Sequence, residues 1–76
     1  MQIKSKKLAQ GRYEITVHEI RFVLEKLYGD QNWTLHNSSN TEISRFETKA
    51  GALETLRNWS FEYALRMDAA EFCDYA

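Results

Sequence analysis

The sequence predicts an α+β fold: a small antiparallel β-meander of three to four strands, followed by a long C-terminal helix packed on one face. Two observations carry that prediction. Up to Thr48 apolar and polar residues tend to alternate, as in Tyr13, Ile15 and Val17 and again in Trp33 and Leu35. Beyond it the apolar spacing lengthens to three and four, as in Leu53, Leu56, Ser60, Tyr63 and Met67. Alternation places side chains on one face of a strand, and the longer spacing places them on one face of a helix.

Residues 1–11 read as a basic leader, polar and poorly patterned. After Gly11, residues 12–17 alternate cleanly as a strand, and His18-Glu19 forms a tight turn although neither residue is a strong turn former. Residues 20–27 are a second strand. Ile20, Val23, Leu24 and Leu27 also fit helical spacing, but the segment is short and β-branched and aromatic residues lead it. Gly29 supplies positive φ to the next turn. Residues 32–36 form a third strand, the polar cluster 37–41 joins a hairpin, and residues 42–47 form a fourth strand. Ile43 and Phe46 are three apart, so a bulge near Ser44-Arg45 is needed to bring both to one face.

Thr48 is the expected N-cap of a helix over residues 48–72, with 73–76 as a tail. Gly51 lowers helix propensity by ~1 kcal/mol relative to alanine, and its use is a close approach of helix to sheet. The expected core is Tyr13, Ile15, Val17, Ile20, Phe22, Leu24, Trp33, Leu35, Phe46, Leu53, Leu56 and Trp59. On a helical wheel Ala52, Leu53, Leu56, Trp59, Ser60, Tyr63, Ala64 and Met67 make one apolar stripe. Phe61, Leu65 and Phe72 fall on the far side. A helix of that length runs to ~36 Å, whereas a six-residue strand spans only ~20 Å. Either the helix overhangs its sheet and presents those three residues to a partner, or it stops near Trp59 or Ser60 and a second short helix folds back, burying them internally.

The 76 residues make one domain. Cys73 is the only cysteine, which rules out an internal disulfide and fits a reducing compartment. No segment reads as a signal peptide or as the ~20 apolar residues of a membrane span, so the expected location is cytoplasmic. Asn32-Trp33-Thr34, Asn37-Ser38-Ser39 and Asn58-Trp59-Ser60 then read as chance glycosylation triplets. His18, His36 and Cys73 are too dispersed for a metal site, and the three glycines are too isolated for a phosphate loop. No local signature frames a nucleophile with its base. Neither enzymatic activity nor a cofactor is expected.

The formal net charge is −1, with Lys4, Lys6, Lys7 and Arg12 uncompensated at one end and Glu62, Asp68, Glu71 and Asp74 outnumbering Arg66 at the other. The favoured function is a small protein-binding module. Phe61, Leu65 and Phe72 are its expected anchors, and Glu62, Asp68, Glu71 and Asp74 its polar rim. A foreign protein or a second copy would serve as partner. The alternative is a nucleic-acid-binding module using the leader and the sheet, through Lys4, Lys6, Lys7, Arg12, Arg21, Lys26 and Arg45. Glu14, Glu25, Glu42 and Glu47 are interspersed among those cations, which weakens the case for phosphate contact.

The stretch Ile-Ser-Arg-Phe-Glu-Thr-Lys-Ala-Gly-Ala-Leu, residues 43–53, resembles two groups of proteins. One is the arm-type DNA-binding domain of phage integrases, a three-stranded sheet backed by a helix. That resemblance implies DNA contact through the sheet, at Arg21, Lys26, Thr34 and Arg45. The other is a set of small phage and prophage accessory proteins built from a β-meander and a helix. It implies a protein that binds or inhibits a host protein complex. The likeness runs from Asn32 to Trp59; the acidic C-terminal end and the mixed charge of the sheet depart from the integrase pattern.

Overall fold

The computed structural model describes residues 3–29 and 31–70. Five strands come first, β1 (Ile3–Ala9), β2 (Arg12–Val17), β3 (Ile20–Glu25), β4 (Trp33–His36) and β5 (Glu42–Phe46), then two helices, α1 (Lys49–Arg57) and α2 (Phe61–Asp68). The strands form one antiparallel sheet in sequence order. Both helices lie on one face of it, α1 beside β5 and α2 over β3. No helix among the described residues is long and apolar enough to cross a membrane.

The α+β class and the meander are as expected, with two corrections. The leader is a strand: residues 3–9 pair with β2 from Ile3↔Val17 to Ala9↔Arg12, with Leu8 as a bulge. Local pattern hid it because β1 buries almost nothing; only Ile3 of the strand packs against the core. What orders β1 is the backbone ladder that the outer edge of β2 offers.

The single long helix is two short ones, with the break where the fold-back alternative put it, but Phe61 and Leu65 are not buried by it. Asn58 caps α1, its backbone N–H donating to the Thr55 carbonyl at 3.1 Å while the Trp59 N–H donates to the Leu56 carbonyl at 3.1 Å. Ser60 caps α2, its Oγ accepting from the Tyr63 N–H at 3.1 Å. Trp59 between them turns inward, its ring edge-on to Phe22 at 5.4 Å and to Tyr63 at 5.0 Å. At 1.5 Å per residue each helix is about 12–14 Å long, short enough to lie within the span of a strand.

The remaining elements follow their residues. His18 and Glu19 both take positive φ, 51° and 69°, the two-residue hairpin turn whose twist suits antiparallel strands. Residues 20–25 are strand. Leu35 pairs with Ser44 and His36 with Glu42, so the bulge falls on Ile43, one residue before its expected place, and Ile43 is buried. Thr48 caps α1 as expected, its Oγ1 accepting from the Gly51 N–H at 3.0 Å. A Cβ on Gly51 would meet that same Oγ1 at 3.0 Å, so the glycine makes room for the cap and not for the sheet. Gly11 has the stronger requirement: its φ is +75° and a Cβ there would lie 2.5 Å from the Lys26 carbonyl oxygen.

The core is Ile15, Val17, Phe22, Leu24, Leu35, Ile43, Ala52, Leu56, Ala64 and Met67. Tyr13, Ile20, Trp33, Phe46, Leu53 and Trp59, the rest of the expected core, pack around it partly buried.

Candidate protein-binding surface

α2 begins at the Ser60 cap with Glu62 in its first turn and Arg66 in its last, each sign opposite to the dipole end it sits on. Ala64 and Met67 face the sheet and are buried. Glu62 and Arg66 ride on the opposite crest, both exposed. Between crest and core, one shoulder of the helix carries Phe61 and Leu65, four apart and therefore adjacent in space. They are 51% and 45% exposed. Tyr63 forms the other shoulder, against Trp59.

The hairpin turn extends the Phe61 shoulder. The His18 ring stands edge-on to Phe61, centroids 6.0 Å apart. Its Nε2 lies 2.8 Å from the Trp59 carbonyl oxygen. A carbonyl can only accept, so Nε2 carries the proton and donates. The bond satisfies a carbonyl that the break between the helices leaves without an intrahelical donor. Phe61 is thus set by two fixed points, the Ser60 cap behind it and the turn beside it.

The other end of α2 is anchored by Asn37, only 2% exposed at the end of β4. Its Nδ2 donates to the carbonyls of Met67 and Ala70, both at 3.0 Å. Its Oδ1 accepts from the N–H groups of Ser39 and Thr41, again at 3.0 Å each. Asp68, expected on the rim, accepts from both the backbone N–H and the hydroxyl of Ser38. It ties the helix to the β4–β5 turn. Of the remaining expected site residues, Glu62 lies beside the Phe61–Leu65 shoulder; Phe72, Glu71 and Asp74 lie outside the described residues.

The open face of the sheet carries the cations of the alternative reading. Arg12 lies 3.6 Å from Glu25, Arg21 3.8 Å from Glu14 and Arg45 3.1 Å from Glu42. Each arginine is therefore matched by a carboxylate on the same face. Lys26 follows β3, its backbone N–H bonded to the Gly11 carbonyl at 2.8 Å. Lys4, Lys6 and Lys7 stand on β1, exposed and in no ion pair among the described residues.

Sequence reasoning missed one apolar feature. Leu27 and Tyr28 protrude from the β3–β4 loop, Tyr28 with a relative exposure of 107%. A surface hollow of about 450 Å³ lies beside them, bordered by Gln10, Lys26 and Trp33. Two large apolar residues directly before a turn glycine were the available signal. No group of three or more His, Cys, Asp or Glu side chains converges among the described residues. No family model, curated protein or solved structure matches this chain.

Proposed function

We propose that this protein is a non-enzymatic binding module that docks a protein partner on the Phe61–Leu65 shoulder of α2. One observation supports the reading above the rest: two large apolar side chains, one helical turn apart and each about half exposed, sit on a helix whose two ends are both pinned. Isolated exposed hydrophobics are ordinary, but an adjacent pair on a rigid element is the arrangement that binding anchors use. Glu62 and Arg66 flank the pair and would steer orientation more than affinity. The accessory-protein resemblance of residues 43–53 extends the proposal to a host protein complex as the partner.

Site-specific photo-crosslinking tests it in cells that naturally make the protein. A benzophenone amino acid at Leu65 should yield a discrete adduct that disappears when Phe61→Ser is added. The same probe at Thr55, exposed on α1, should yield none. An identical diffuse background at both positions would remove α2 as a docking site. An adduct of twice the chain's own mass would make the partner a second copy.

A further inference from the structure

The two edges of the sheet are finished differently. On β5 the bulge at Ile43 interrupts the ladder and α1 packs alongside. β1 has neither protection over its first five residues, where the register with β2 is continuous from Ile3 to Lys7. Every residue from Lys4 to Ala9 is exposed. Alternate residues of an edge strand turn their N–H and C=O groups away from the sheet, ready for another strand.

Uncompensated charge is concentrated on that same strand. Lys4 and Lys6 project on the open face and Lys7 on the helix side, and none has an ion-pair partner among the described residues. A second copy is the wrong occupant. Antiparallel pairing of β1 with itself about Ser5 sets Lys4 against Lys6, and about Lys6 or Lys7 sets that lysine against itself. Pairing about the two midpoints between these residues sets Lys4 against Lys7 or Lys6 against Lys7. Like charges directly opposite are destabilising in every one of these registers. The charge that repels a copy attracts an acidic strand. Nucleic acid fits less well, because Glu14 lies directly across from Lys6 and the arginines of the open face are already paired.

We infer that the β1 edge is a second binding surface, which takes an extended acidic peptide segment as a sixth strand. Backbone hydrogen bonds hold it, Lys4 and Lys6 select carboxylates at alternating positions on the open face, and Lys7 adds positive charge on the other face. This surface is separate from the α2 shoulder and stands or falls independently of it.

The probe is a synthetic ten-residue peptide of alternating valine and glutamate, titrated into isotopically labelled protein and followed by the backbone amide resonances. The expected result is saturable shifts confined to β1 and the adjoining β2, with Phe61 and Leu65 unmoved. Affinity should fall at least about tenfold in the Lys4→Glu, Lys6→Glu, Lys7→Glu triple variant, whose remaining amide spectrum reports that it is folded. The same peptide N-methylated at alternate residues should not bind, since it cannot complete the ladder. Equal binding of the methylated peptide would overturn strand pairing, and so would no binding of the plain peptide at millimolar concentration. Tighter binding of a ten-nucleotide oligothymidylate through the same lysines would replace the proposal with nucleic-acid recognition.

Discussion

Arg21 and Phe22 are consecutive on β3 and point to opposite faces of the same sheet. Phe22 is fully buried under the helices, edge-on to Trp59 and among the apolar side chains of every strand from β2 to β5. Arg21 lies on the open face, its side chain 71% exposed and 3.8 Å from Glu14. The helix-covered face removes apolar surface from water, which is the main driving force of folding. The open face balances charge in high dielectric, where an ion pair adds little to stability. The difference separates the residues that keep the protein folded from those free to meet a partner.

The comparison breaks hardest at Phe22. Phe22→Ala leaves a cavity beneath Trp59 and should destabilise by about 3–5 kcal/mol. A domain of this length holds roughly 4–11 kcal/mol in all, so urea titration should find much of the margin gone. A loss under about 1 kcal/mol would mean that the helices do not seal that face. Asn37→Ala comes next, at about 2–3 kcal/mol, because it strips the hydrogen bonds of the Met67 carbonyl in α2, the Ala70 carbonyl just beyond it and two N–H groups of the β4–β5 turn. Hydrogen exchange should show protection falling in α2 before β2 and β3. Uniform loss across the sheet would place Asn37 in the global core rather than at the helix anchor. The smallest effect belongs to the open face: Arg21→Ala should change stability by less than about 0.5 kcal/mol. A loss near that of Asn37→Ala would erase the division between the faces.

How far residues announced these arrangements varies with how local their causes are. The bulge at Ile43 was legible because two apolar residues three apart cannot share a strand face without one. The His18-Glu19 turn was legible from its flanks: alternating runs on both sides leave only two residues for the reversal. Residues 20–27, open to a helical reading, became strand from Ile20 to Glu25 because β2 and β4 flank them on both sides. Phe61 and Leu65 were picked out by the wheel of a helix that does not exist as one piece. They remain exposed all the same, because α2 alone keeps them on its shoulder. Tyr28 was passed over because a turn assignment says nothing about what a turn displays.

By itself the sequence determined which side chains belong together. Each of the twelve expected core residues is either buried or packed against the core, and hydrophobic period, a property of neighbours along the chain, is enough for that. Tertiary structure alone decided that the lysine-rich start is a strand, that the helix breaks at Asn58-Trp59-Ser60, and that Asn37 holds α2. Two of those depend on a hydrogen-bond partner distant in sequence, the Met67 carbonyl for Asn37 and His18 for the Trp59 carbonyl 41 residues away; β1 depends on the ladder of its hairpin neighbour β2, which its own polar pattern does not announce. A backbone group must be paired somewhere, but nothing in its local sequence names the partner.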